Sequence, residues 1–491
     1  MDTQYEVIVI GAGFGGATCA ALLARRGVKT LLIDKNAIPG GKGITMAKQG
    51  FRYEFWPISG GPSLNSQFAR VLNELDMTER IAVLAPQRAV ALMYRKPGAA
   101  YAACVEPAVP EPDGALAMME LLGIDGAALP TVARCFTEMV QMSPEEIAGL
   151  DEVSFSDFLA RYELPQSLRS YFGMWSNIVF VVPIDLLAAS EAVRVFQDFS
   201  ANGAARYHSG GFGRMAELFC EAIQRDGGDV LLKTRVERIR VADGAVTGVV
   251  TDRGSFEAPI VVSNAGIQPT VLRLVGEEHF DTGYVATVKG LVPSWAIMGI
   301  RYFLNRPFFD CPMHLAFSDE SYLDIARFQA MQAGRIPDEL VVFNVVPAVY
   351  DASLAPPGKQ CALVGTLCSP DPELGYAETL WRKLDEMVTR LWPGMQDCVE
   401  WKERYSTSHV SALTRDHVLP GQGGECIGLA QIVGQCGRHK PSARAPLRGL
   451  FFVGCDAGGY GCGTHQAVDS GVNVAELVHH EHRSRLAVPD R

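Results

Sequence analysis

Between Glu6 and Asp34 the chain reads EVIVIGAGFGGATCAALLARRGVKTLLID, and no other stretch limits the fold so tightly. Val7–Ile10 is a short β-branched apolar run, suited to a strand buried on both faces of a parallel sheet. It leads into Gly11-Ala-Gly13-Phe14-Gly15-Gly16, then into an Ala- and Leu-rich segment, Ala17–Arg26, closed by Gly27. A second apolar run, Thr30–Ile33, ends in Asp34. Each part suits a dinucleotide. Gly11 makes the tight turn, Gly13 lets the backbone approach a pyrophosphate, and Gly16 lets the helix lie close on the strand. The helix start offers unpaired N–H groups and a partial positive charge to the phosphates. Asp34 is placed to take both hydroxyls of an adenosine ribose, and its charge disfavours a 2′-phosphate. A glycine turn alone is common; strand, turn, helix, second strand and acid in register make the dinucleotide reading.

The rest of the chain must surround that unit. At 491 residues it exceeds one compact core, so two domains are expected. A net charge of −11 with no basic cluster excludes nucleic acid as a partner. The 12 cysteines are scattered without a CxxC pair or a Cys/His cluster, which reads as reduced thiols in a cytoplasmic protein with no metal site. No apolar run approaches the roughly 20 residues needed to span a bilayer, and the early first strand leaves no room for a signal peptide. A peripheral membrane contact stays open.

Beyond Asp34, Pro39-Gly40-Gly41-Lys42 is either a surface turn or a second loop on the pyrophosphate, with two glycines for close approach and Lys42 for charge. Residues 64–204 carry helical patterns, interrupted by a Pro/Gly/Ala-rich patch, Lys96–Gly114, expected to be loop. A Ser-x-x-Asp start at Ser154 opens a small helix. The segment from Tyr171 through Trp175 to Ala189 is plain core, or it lines an apolar substrate pocket or touches a membrane surface. Tyr207 and His208 precede a glycine turn and read as surface groups, with a catalytic role as the alternative. An amphipathic helix, Arg214–Arg225, leads to runs at 229–232, 236–241, 244–251 and 258–264, which suggest one small antiparallel or mixed sheet. Runs at 295–304, 340–347 and 361–367, with a helix Ala377–Leu391, suggest a second, sheet-plus-helix domain. At the end, Leu450–Val453 and a glycine loop, Gly454 to Thr464, lead into a helix over 467–478. This is a second ligand cradle, in which Asp456 would reach a hydroxyl and the helix start would face an electron-rich ring.

Together these motifs resemble the flavin amine oxidase superfamily. They are most similar to its phytoene desaturase, carotenoid isomerase and retinol saturase branch. The resemblance rests on Gly11-x-Gly13-x-x-Gly16, Gly40-Gly41-Lys42, the block from Asp229-Val230 to Val261-Val-Ser-Asn264-Ala, the Ala355-Pro-Pro-Gly358 turn and Leu450-Phe-Phe-Val-Gly-x-Asp456. It covers essentially the whole chain. It implies an α/β fold, with a Rossmann-type FAD-binding domain built from 1–90, 205–274 and 425–491. An α+β substrate domain is inserted as 91–204 and 275–424. It also implies that Gly11, Gly13, Phe14, Gly15, Gly16, Asp34, Lys35, Gly40, Gly41 and Lys42 hold the ADP half of FAD. Val236 would meet adenine through its backbone, and Gly454, Asp456, His465, Gln466 and Ala467 would hold the ribityl and ring half.

Some residues depart from the pattern. Cys455 separates Gly454 from Asp456, which shifts the ribityl contact by a residue or leaves it in place. The run 295–304 lacks the lysine that amine oxidases carry, and no second GxGxxG for a nicotinamide occurs. The expected activity is hydride transfer between flavin N5 and a C–C bond of a hydrophobic or alicyclic substrate, as desaturase or saturase, with oxygen or a quinone as acceptor. The alternatives are an isomerase or hydratase without net redox, or an amine oxidase. His465 and Tyr460 are the candidate catalytic groups. His465 acts as a neutral base or only hydrogen-bonds the flavin. Cys462 is a candidate for covalent flavin attachment. The sequence leaves the substrate and oligomeric state open.

Overall fold

The computed structural model describes residues 3–58, 60, 66–415 and 418–486. At its centre lies a five-stranded parallel sheet in the order Leu450–Phe452, Ile260–Ser263, Val7–Ile10, Thr30–Ile33, Asp229–Leu231. The three central strands are buried at every residue, which explains their unbroken β-branched and Leu composition. Helix Phe14–Arg25 packs on this sheet between helix Arg214–Arg225 and the last helix, Gly463–Leu486. The expected single small sheet over 229–264 is therefore divided. Val236–Ala242, Ala245–Thr251 and Gly254–Glu257 form a three-stranded antiparallel sheet, while the flanking runs join the parallel one. The flanking runs are short and apolar enough to be covered on both sides, whereas the middle three alternate and turn on glycines.

The second sheet has seven strands, in the order Val399–Tyr405, Ala296–Leu304, Gln360–Cys368, Val342–Val345, Met313–Ser318, Val90–Arg95, Tyr101–Glu106. Helix Ala377–Leu391 covers one face, with Leu380, Leu384 and Val388 fully buried against Met298, Ile300 and Val364. The expected loop Lys96–Gly114 is corrected here: Tyr101–Glu106 pairs with Val90–Arg95 as the sheet's edge strand, and Pro112 opens a helix. Its Ala-Ala-Cys centre carries no apolar/polar alternation, so its strand character comes from the partner it pairs with.

Across from the helix-covered face lies an aromatic layer built from Phe155, Phe158, Phe172, Trp175 and Phe180. Ser154 caps its short helix by accepting from the Asp157 N–H at 3.0 Å. Helix Gln166–Trp175 continues into a π-helical turn, Ser176–Phe180, that ends on Val181 at φ +55°. A β-branched residue in the left-handed region is strained, and it is held there by burial and by the Trp295 N–H donating to its carbonyl at 2.9 Å. Among the described residues, no helix is long and apolar enough to cross a membrane.

Candidate functional site

One cavity of about 770 Å³ runs between the two sheets. At one end it is walled by Gly11, Gly13, Gly15, Asp34, Gly40 and Val236, and at the other by Trp175, Ile178, Leu315, Phe343, Val90 and Leu92. The polar end follows from the sequence at its foundation. Gly16 lies against the strand: a Cβ there would meet the Gly11 carbonyl oxygen at 2.0 Å. Gly15 faces the second cradle, and its Cβ would lie 2.8 Å from Gly454 Cα. The loop at Gly40 closes on the first turn, with the Gly40 N–H donating to Ala12 O at 2.8 Å. Gly40 has φ +120°, a conformation that suits glycine. The Asn264 side chain sits among these glycines, donating to the Gly11 carbonyl at 3.3 Å and filling the space a Cβ on Gly13 would take.

Asp34 lies at the end of its strand as expected, buried, and accepting from the Ala12 and Asn36 N–H groups, each at 2.7 Å. Burial pushes its carboxyl above the usual range, against those two hydrogen bonds. Lys35, Phe14, Gly41, Gly454, Ala467 and His465 also line the cavity. The backbone approaches that two bare glycine loops and a helix start require for a pyrophosphate are therefore present, and the residues fit FAD.

Beside Asp456, three expectations change. Asp456 lines the cavity, and its carboxylate accepts from the Ile267 N–H at 2.9 Å and the Leu429 N–H at 3.1 Å and pairs with Arg415. Arg415 also pairs with Glu425 at 2.9 Å, and the guanidinium beside Asp456 helps hold that buried carboxyl below its usual range. Gln466 is buried away from the cavity, donating to Cys455 O at 3.0 Å and accepting from Gln431 at 3.1 Å. The loop from Gly454 to Gly463 brings Cys455 and Asp456 together to the cavity wall, while Gln466 lies behind it. Lys42 lines the cavity, but its amine donates to the Ile427 carbonyl at 3.1 Å, among Glu425, Arg415, Cys426 and Cys455 rather than over the first helix start. Burial lowers its pKa. Tyr207 and His208 are fully buried, with Tyr207 stacked on Tyr350 at 4.8 Å. Gly211 and Gly213, which follow them, pack on Thr45 instead of facing water.

His465 is where a base is wanted. Its Nε2 bonds the Gly60 carbonyl at 2.7 Å, which requires Nε2–H, and its ring lies edge-on to Phe68 at 5.1 Å. Burial lowers its pKa, so the imidazole is neutral and Nδ1 carries the lone pair. Tyr460 lines the rim, 48% exposed, with its ring between Arg194 (4.9 Å) and Lys440 (4.6 Å). That setting suits a rim contact and offers a proton carrier no dry environment. The Cys462 thiol donates to Val179 O at 2.8 Å, and burial pushes its pKa up. Arg415, Glu425, Cys426 and Glu106 were not singled out from sequence, because they lie far along the chain from the motifs and form no local pattern.

The two sheets, the bare glycine cradles and the cavity between them define a dinucleotide-binding flavoprotein with an apolar substrate space. The chain belongs to the family described as flavin containing amine oxidoreductase, whose model matches residues 14–479, and its cofactor is FAD. It is similar to the lycopene-forming phytoene desaturase of Pseudescherichia vulneris, 23% identical over 476 residues, covering 91% of this chain and 94% of that enzyme. It is also similar to the chloroplastic prolycopene isomerase 1 of an Oncidium hybrid cultivar, 24% identical over 528 residues, covering 97% and 84%. Among solved structures, an oxidoreductase from Methanosarcina mazei matches with a TM-score of 0.72 at 16% identity, covering 96% of this chain and all of that one.

Proposed function

We propose that this chain is an FAD-dependent oxidoreductase that removes hydrogen across a C–C bond of a hydrophobic polyene or alicyclic substrate. The observation that carries this reading is the continuity of the cavity from the glycine cradles into the apolar arm. The enzymes similar to this chain, a phytoene desaturase and a prolycopene isomerase, support it. The segments 1–90, 205–274 and 425–491 would make the FAD-binding domain, and 91–204 with 275–424 the substrate domain.

When bound, FAD supplies an acceptor for the hydride leaving one carbon. The chain must then position the bond, exclude water and take the proton from the neighbouring carbon. The wall formed by Trp175, Ile178, Leu315 and Phe343 orients an apolar chain and keeps the site dry. Nδ1 of His465 takes the proton, and the imidazolium so formed is favoured by the nearby Asp198 carboxylate. The electron pair would then pass to oxygen or a quinone. Exposed apolar side chains at Val109, Leu116, Leu129 and Val140 support a peripheral contact with a lipid surface, from which such a substrate would be drawn.

A second reading, isomerisation without net redox, is favoured by the prolycopene isomerase among the relatives. Mass analysis of product from phytoene or a cyclic alkane acid under quinone separates the two. Desaturation predicts a product lighter by two hydrogens per new double bond. A product of unchanged mass contradicts it in favour of isomerisation, and peroxide release from amines contradicts both.

A further inference from the structure

One carboxylate in the cavity has no task in the chemistry above. Glu106 ends the edge strand Tyr101–Glu106 and lines the apolar arm. Strand register places it at the end of a row that continues through Val90, Met313 and Val345, and the adjacent row reads Cys104, Leu92, Leu315, Phe343. Side chains two apart along a strand share a face, so Glu106 points toward the same space as these apolar residues. Among the described residues, no side chain hydrogen-bonds or pairs with its carboxylate. The titratable groups near it are Tyr171, from the helix packed over this face, and Cys104, on its own strand. Both are held neutral by burial, and the facing strands contribute no charge to the row.

An unpartnered carboxyl in a wall of Val, Leu, Met and Phe is costly to keep unless something met in the working enzyme satisfies it. From this placement we infer that Glu106 is a specificity-determining residue that donates a hydrogen bond to a carbonyl or hydroxyl oxygen at the end of an otherwise apolar substrate. This rests on the apolar-substrate reading above and deepens it: the preferred substrate is an oxygenated polyene or alicyclic compound, not a pure hydrocarbon. Burial raises the carboxyl to about 7, so the proton needed for donation is present in mildly acidic and neutral solution. A carbonyl oxygen can only accept, so it loses this partner once Glu106 ionises. An amide at the same position keeps an N–H donor at any pH.

The test uses the FAD-loaded protein and quenching of its tryptophan fluorescence, since Trp56 and Trp175 both line the cavity. The probes are the ketone geranylgeranylacetone, the hydrocarbon phytane and the amine geranylgeranylamine. At about pH 6 the ketone should bind roughly 10-fold tighter than phytane, the worth of one buried hydrogen bond. That preference should fade by about pH 8.5. Glu106→Gln should keep it at both pH values, and Glu106→Leu should lose it at both while binding phytane normally. An unchanged ketone-to-phytane ratio in Glu106→Leu overturns the inference but leaves the apolar-substrate reading standing. Tightest binding of the amine, abolished in Glu106→Gln, overturns it in favour of a cationic end group. Failure of every probe to bind any variant defeats the apolar-substrate reading itself, and this inference with it.

Discussion

Gly15 has room for a hydrogen and little more. A Cβ there would press on backbone atoms of Gly454, 2.8 Å from Cα and 2.9 Å from N, which cannot rotate out of the way as a side chain can. Gly15→Ala should therefore part the two cradles and lower FAD affinity by about 5- to 150-fold, equivalent to the ~1–3 kcal/mol of a typical overpacking strain. Flavin retained after dialysis reads this directly, and full retention would contradict the close approach. For His465, replacement by Gln keeps a donor to the Gly60 carbonyl but removes the base. The turnover rate should fall by about 10²–10⁴ with flavin content unchanged. Because burial lowers the imidazole below 6.5, the wild-type rate should lose its acidic limb only below that pH, and the variant should show no such limb. A shift of the limb upward would assign it to another group. At this scale the glycines were legible in the sequence because their demands are local. The partners of Asp456 and the place of Gln466 were not, since both depend on how one glycine loop curls and which distant side chains it meets.

Among the elements, the buried Arg415 joins three segments: the Gly454 loop through Asp456, the 425–429 run through Glu425, and the Gly266 turn, where a Cβ would strike its guanidinium. Removing one charge of such a group leaves the others uncompensated. Asp456→Asn should cost about 3–5 kcal/mol in chemical denaturation. The sign with pH follows from the depressed carboxyl. Its stabilisation is full above the ordinary value of 3.8 and is lost as pH falls through its lower value in the folded protein. Wild type and Asp456→Asn should therefore converge in stability only in strong acid. Equal stability at neutral pH would contradict the tie. Helices Arg214–Arg225 and Ala377–Leu391 could be read from sequence to both ends, because their apolar spacing is strong. The strand Tyr101–Glu106 could not, lacking any period. Sheet membership of Asp229–Leu231 and Ile260–Ser263 is a matter of parallel pairing across more than 190 residues, which no local window contains.

For the molecule as a whole, the half-buried Glu106 should leave a mark on the stability curve. Its carboxyl binds a proton up to about 7 when folded, against 4.5 for an ordinary glutamate, so the folded chain holds more protons between those values. Stability from this group therefore falls as pH rises from 4.5 to 7, by about 3 kcal/mol in total. Glu106→Gln should be free of that decline, so its melting temperature should gain on wild type by a few degrees across the window. Parallel curves would place Glu106 in water. The central claim is that one cavity brings FAD and an apolar C–C substrate together, and its most direct measurement is the visible spectrum of the FAD-loaded protein, titrated anaerobically with a polyene such as phytoene and separately with putrescine. Loss of the oxidised-flavin band with the polyene, and none with the amine, is the predicted result. Bleaching by putrescine alone, or a protein that stays colourless after reconstitution with FAD, would contradict it.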